Sequence, residues 1–185
     1  MVSSNEFKTG MTIEYEDKIY QILEFQHVKP GKGQAYVRTK LKNMRTGATT
    51  EVAIASGIKI KKAIIEKKPM QYIYDGGETL AFMDMESFVQ IDIPADRLTY
   101  EKNFLKEGMD ITIVDYQGEI LGVMLPEKVV LEVVECDPNV KGNTVSNAMK
   151  GATVETGYSL QVPLFIEVGD KIIIGTYDGK YNSRA

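Results

Sequence analysis

Val28-Lys29-Pro30-Gly31-Lys32-Gly33-Gln34-Ala35-Tyr36-Val37-Arg38-Thr39-Lys40-Leu41-Lys42 holds a chain reversal followed directly by a period-two pattern. Pro30 fixes its own φ and pushes Lys29 toward extended backbone, while Gly31 and Gly33 are free to take the positive φ that a tight reversal demands. Past the reversal, Ala35, Val37, Thr39 and Leu41 fall on one face of a strand and Tyr36, Arg38, Lys40 and Lys42 on the other. The stretch is therefore a β-hairpin with Lys32 at its apex. Taken alone, Gly-Lys-Gly is equally an ordinary tip with a solvated lysine.

Working outward, the flanking sequence is strand after strand. β-Branched and aromatic runs at 12–15, 19–28, 35–41, 49–55 and 58–65 are separated by turn residues such as Asp17-Lys18 and Ser56-Gly57, which predicts a small barrel. Lys67-Lys68-Pro69 breaks the pattern. Strands are expected again over 70–74, 78–84 and 88–93, and one helix over 94–108, opened by Pro94 and closed by Gly108, with Leu98, Phe104 and Leu105 facing a core. A strand barrel with one short helix points to an oligonucleotide-binding (OB) fold. Gly108, Ile111, Ile113, Tyr116 and Gly118 recur as Gly169, Ile172, Ile174, Tyr177 and Gly179, each 61 residues on, which suggests a second related barrel after the break at Leu125-Pro126-Glu127-Lys128. The expectation is an all-β chain of three small barrels, over 1–64, 65–127 and 128–185. In the last, the polar stretch 137–150 is too long for a mere connection.

Charge divides the chain in the same place. Residues 1–64 carry 11 Lys and Arg against 6 Asp and Glu, and residues 65–185 carry 11 against 20, so the overall net charge of -4 hides a basic end and an acidic remainder. Over 25–50 there are six basic residues, Lys29, Lys32, Arg38, Lys40, Lys42 and Arg45, and no acid. A one-signed strip of this kind is either a solvated face or the footprint of contact with phosphate at one end only. The acidity of 65–127, 5 basic against 13 acidic residues, argues against RNA on all sides of that barrel.

Scarcity removes several chemistries. His27 is the single histidine and Cys136 the single cysteine, so no histidine cluster, multi-cysteine zinc site or intrachain disulfide is available. A Ser-His-Asp triad would need His27, which lies in a strand and is expected to be a structural or surface residue rather than a general base. Cys136 ends an apolar run and is expected to be buried as a small apolar residue. Neither Gly-x-x-x-x-Gly-Lys-Ser/Thr nor Gly-x-Gly-x-x-Gly occurs. Met83 and Met85 are expected to face a core rather than a metal. The N-terminal residues lack the apolar core of a signal peptide, and no run approaches the ~20 apolar residues of a membrane span. A cytosolic protein without cofactor or metal is expected.

The chain resembles the bacterial translation elongation factor P family over essentially its whole length. The residues that carry the resemblance are Gln26-His27-Val28-Lys29-Pro30-Gly31-Lys32-Gly33-Gln34-Ala35 with Val37-Arg38-Thr39-Lys40-Leu41, then Met70-Gln71-Tyr72-Ile73-Tyr74 and Phe82-Met83-Asp84. The most specific are Lys150, Ala152, Gly157, Leu160, Val162-Pro163, Ile166 and Gly169, followed by Asp178-Gly179-Lys180-Tyr181-Asn182-Ser183-Arg184.

The resemblance implies an L-shaped, tRNA-mimicking protein, an SH3-like (KOW-like) barrel followed by two OB barrels, that works as a monomer. It implies binding to the 70S ribosome between the peptidyl and exit sites, where consecutive prolines stall synthesis. Lys32 would reach the CCA end of the P-site peptidyl-tRNA, extended by a lysine-modifying enzyme, with Lys29, Pro30, Gly31 and Gly33 forming its tip loop. Tyr36, Arg38, Lys40, Lys42 and Arg45 would hold phosphates without reading sequence. Gly142, Asn143 and Thr144 stand where the family's Gly-Asp-Thr approaches the small subunit, and Tyr181 and Arg184 match further RNA-contact positions. Asn143 keeps an acceptor, gains a donor and loses a charge, and Gly151, where the family commonly has proline, implies a looser loop. Three other readings stand beside this one. A general RNA-binding module accounts for Tyr36 among basic residues. The eukaryotic and archaeal hypusine-bearing counterpart has two modules and leaves 128–185 unaccounted for. The third reading, an enzyme, finds little in the residue inventory.

Overall fold

The structure, a computed structural model, describes residues 1–138 and 148–185. Sixteen strands and three short 3-10 turns make up its regular elements, with no α-helix among the described residues. The first sheet is built from β1 (Val2–Ser3), β2 (Thr12–Tyr15), β3 (Lys18–Val28), β4 (Tyr36–Asn43), β5 (Thr49–Ala55) and β6 (Lys59–Lys62), in the order β1-β6-β2-β3-β4-β5. The second joins β7 (Glu66–Asp75), β8 (Thr79–Met83), β9 (Gln90–Pro94), β10 (Asp110–Tyr116) and β11 (Glu119–Met124) as β11-β10-β7-β8-β9. The third joins β12 (Lys128–Cys136), β13 (Met149–Val154), β14 (Ser159–Pro163), β15 (Lys171–Gly175) and β16 (Tyr181–Arg184) as β14-β13-β12-β15-β16. The chain is all-β, and its sheets curl into small barrels.

The chain packs as two compact units, one of residues 1–68 with 113–122 and one of 69–112 with 123–185. In the first, alternation along the strands sends Ile13, Ile22, Val37, Leu41 and Ile54 into a common core. β2 and β3 are joined through Glu16 and Asp17, both at positive φ, the conformation whose twist matches that of the strands it connects. A bulge between Ile22 and Glu24 lets Ile22 and Phe25 serve the same core face, because one extra residue resets the period-two alternation. Val114, Tyr116 and Leu121 pack on Ile19 and Ala63 in a second cluster of this unit.

The second unit has Leu131, Val133, Val154, Val162, Ile172 and Ile174 at the centre of the third sheet's core. Phe104 joins that core from the 3-10 turn Glu101–Phe104, and its ring meets Tyr100 and Tyr158 at 5.2 and 5.0 Å. Thr156 Oγ1 donates to the Asn103 carbonyl at 2.6 Å, and Lys106 pairs with Glu155 at 2.9 Å.

Several expectations need correcting. The helix predicted over 94–108 is two 3-10 turns, Ala95–Arg97 and Glu101–Phe104. Leu98, Phe104 and Leu105 are buried as expected, but positions 101 and 102, which would complete a helical stripe, are Glu and Lys. Pro69 does not end a strand. It lies inside β7, and β8 pairs with β7 only from Gln71 onward, so the missing N–H precedes that ladder. Cys136 is half-buried, and Met85 is exposed.

The repeat at an offset of 61 has a structural counterpart. Numbered within each five-stranded sheet, both run 3-2-1-4-5. Gly108 and Gly169 sit at φ +81° and +92°, Gly118 and Gly179 at +86° and +68°, and all four isoleucines are buried. The tyrosines part company, since Tyr116 is buried and Tyr177 is 97 % exposed.

Candidate nucleic-acid interface

Strand geometry sets the tip apart from the barrel. β3 and β4 stay in register up to Val28↔Tyr36, and the Ser56 N–H donates to the Ala35 carbonyl at 2.9 Å, which clamps the base. Between these, Lys29, Pro30, Gly31, Lys32 and Gly33 are all exposed. Gly33 takes the reversal, at φ +108°. Gly31 has no positive φ, and a Cβ built on it meets nothing within 4 Å, so neither turn geometry nor crowding by the chain requires glycine there. His27 lies exposed on β3 with its ring edge-on to Phe25 at 5.8 Å, the second of the two placements open to it.

The basic strip is built as the alternation required. Val37, Thr39 and Leu41 are buried, Arg38, Lys40 and Lys42 are exposed, and Tyr36 is half-buried at the tip's base. The strip is free of acid only along the chain. Register places Glu24 of β3 and Glu51 of β5 on either side of Lys40, and Lys40 Nζ lies 4.0 Å from Glu24 while Arg38 Nε lies 3.4 Å from Glu51. Arg45 donates two hydrogen bonds to the Glu119 carboxylate, at 2.8 and 2.7 Å, and this pairing raises its pKa from the ordinary value. Lys29, Lys32 and Lys42 have no carboxylate partner among the described residues. The predicted contacts therefore fall into two sets: three cations without a carboxylate partner, Lys29 and Lys32 at the tip and Lys42 at the far end of β4, and three already in ion pairs. Sequence reading missed Glu24, Glu51 and Glu119, because strand register and long-range contact assign them. Exposed pairs of this kind contribute ~0–1 kcal/mol, so a phosphate can displace the carboxylate.

The remaining predicted residues lie on the third sheet. Tyr181 packs half-buried against its core, and Arg184 Nη2 pairs with Asp170 at 2.7 Å on the edge strand β16. Gly142, Asn143 and Thr144 lie outside the described residues. Gly151 belongs to the regular strand β13, paired with Gln161, and the Asp137 carboxylate fills the space a Cβ would take. It is a site of close approach rather than of loosening. Groups of three or more residues fit to hold a metal do not occur among the described residues, and no helix there is long and apolar enough to cross a membrane.

Small barrels in sequence, the first basic and tipped by a lysine, have the build of a translation factor. Three family models match the chain in succession: the elongation factor P KOW-like domain over 3–60, the elongation factor P OB domain over 65–123, and the elongation factor P C-terminal domain over 129–184. The chain belongs to the elongation factor P family. Among solved structures it is similar to eukaryotic translation initiation factor 5A from Methanococcus jannaschii, at 20% identity and a TM-score of 0.51, over 66% of this chain and 92% of that one. A translation initiation factor eIF-5A family protein from Naegleria fowleri matches at 18% identity and a TM-score of 0.48, over 67% and 96%. The first of these likenesses is one of fold.

Proposed function

We propose that this translation factor binds the ribosome between the peptidyl and exit sites and speeds peptide bond formation at consecutive prolines by ordering the CCA end of peptidyl-tRNA. The observation that carries the reading is Lys32: exposed at a hairpin apex, with no partner among the described residues, beside a glycine that its own fold does not require. A side chain that must enter a narrow RNA cavity has use for such bare neighbours. Proline is a constrained secondary amine whose attack is slow unless the peptidyl ester is well held, and immobilising that ester lowers the entropic part of the ribosome's own barrier. The factor adds no nucleophile or base.

On this reading Lys32 carries an extension supplied by a lysine-modifying enzyme. A compact ammonium on a flexible stem suits the task better than the planar fork of arginine. Lys29 beside the apex and Lys42 at the far end of β4 meet phosphate directly, with Arg38, Lys40 and Arg45 recruited from their carboxylates. The division into 1–64, 65–127 and 128–185, action as a cytoplasmic monomer, and RNA contact by 142–144, Tyr181 and Arg184 belong to the same proposal.

Reconstituted triproline synthesis on bacterial ribosomes tests it, with protein from its native host against Lys32→Ala. Acceleration by the first and not the second, with both bound, is the expected result. Equal rates would leave a general RNA-binding module as the better account.

A further inference from the structure

A line of hydrogen bonds runs from the 3-10 turn Ser4–Glu6 to the base of the Lys32 hairpin. Ser4 is fully buried. Its hydroxyl donates to the Ala55 carbonyl at 2.8 Å and accepts from the Gly57 N–H at 2.9 Å, and its own N–H donates to the Ile58 carbonyl at 2.9 Å. Ser4 therefore grips residues 55–58, the reversal that follows β5, where Gly57 stands at φ +81°. The same reversal is held from outside, for the Ser56 hydroxyl donates to Asn5 Oδ1 at 2.6 Å. The 3-10 turn is closed in its own right, with the Ser3 N–H on the Glu6 carboxylate at 3.0 Å. From the gripped reversal the Ser56 N–H reaches the Ala35 carbonyl, two residues past Gly33. That bond holds the returning leg of the hairpin one residue nearer the tip than the last strand pair, Val28↔Tyr36.

Beyond this point the tip has to place one ammonium. A projecting loop magnifies any rocking at its base, and catalysis by positioning is intolerant of it, since a misplacement of about 1 Å can cost ~100-fold in rate. Asn5 and Ser56 are both exposed, so the bond between them lies outside the core that folds the barrel. We propose that Ser4, Asn5 and Ser56 are positioning residues for Lys32: they brace residues 55–58, which fix the hairpin base so that the tip meets the CCA end in one orientation. The inference rests on the role proposed for Lys32 above.

Asn5→Ala removes the acceptor for Ser56 and leaves every cation of the first barrel in place. In reconstituted triproline synthesis, with each variant made in the native host, its rate at saturating factor is expected to fall about threefold, the effect of one lost hydrogen bond, at an unchanged half-saturating concentration. Ser56→Ala, alone or combined with Asn5→Ala, slows synthesis by the same factor, because all three break one bond. Asn5→Asp keeps the acceptor and restores the rate. Ile22→Val, in the core of the same barrel, lowers the urea midpoint further than Asn5→Ala does and keeps the wild-type rate. A wild-type rate for Asn5→Ala overturns the proposal, as do losses of rate that follow the urea midpoint across the set, or additive losses in the double variant. Wild-type factor that fails to speed synthesis at all removes the Lys32 reading beneath it.

Discussion

At the scale of single residues, the two tip glycines do different work. Gly33 bends the chain at φ +108°, so Gly33→Ala is expected to lower the urea unfolding free energy by about 1–2 kcal/mol. Gly31→Ala meets no atom of the chain and is expected to leave that midpoint in place or raise it slightly, while slowing triproline synthesis. If Gly31→Ala is fully active, the cavity invoked for Lys32 is not narrow. Glycine at both positions was legible in the sequence. The difference between them was not, since composition shows that a residue can bend and only the backbone shows whether it does. Likewise Val37, Thr39 and Leu41 were legible as inward residues from alternation, whereas the carboxylates facing Arg38 and Lys40 come from other strands and had no signal in the window 25–50.

Among elements, the ladder Glu24–Lys40–Glu51 across β3, β4 and β5 moderates the basic face. Removing a carboxylate frees a cation, so Glu51→Gln is expected to tighten ribosome binding and steepen its salt dependence, the log–log slope growing by up to about one. Lys42→Ala, which removes a cation free from the start, is expected to reduce the slope by a similar amount. A filter-binding series from low to high salt reads both. In the second unit, Glu155 ties Lys106 to β12, accepting from the ammonium at 2.9 Å and from the Glu132 N–H at 3.0 Å. Burial works to raise its pKa, and the Lys106 and Glu132 hydrogen bonds outweigh burial and hold it below the ordinary carboxylate range. The Lys102 ammonium and the Gly77 N–H lower Asp75 in the same way. A carboxylate bound more tightly as the anion in the folded state stabilises above its unfolded pKa, and the gain is lost as pH falls through the folded one. Acid titration of the unfolding midpoint should therefore show a decline below the ordinary carboxylate range that Glu155→Gln makes shallower. The turn sequence around Phe104 misled sequence reading because burial of Leu98, Phe104 and Leu105 is real while the helical period between them is not.

For the whole molecule, the division into two units predicts unequal responses to a core cavity. Phe104 is fully buried in the third-sheet core of the second unit, so Phe104→Ala is expected to cost about 3–5 kcal/mol there. Native-state hydrogen exchange should show protection lost from β12 and β15 and kept in β3 and β4; uniform loss would mean that the units unfold as one. Composition and turn spacing made the all-β class and the barrels legible. The compact units were not, since 113–122 packs with residues far earlier in the chain.

The two five-stranded sheets share their winding, their bend glycines and their buried isoleucines, the features each barrel needs in order to close on a core. The tyrosine position stands apart, one ring sealed inside as Tyr116 and the other, Tyr177, left in solvent. A side chain that the barrel does not need for packing is one the surface is free to use.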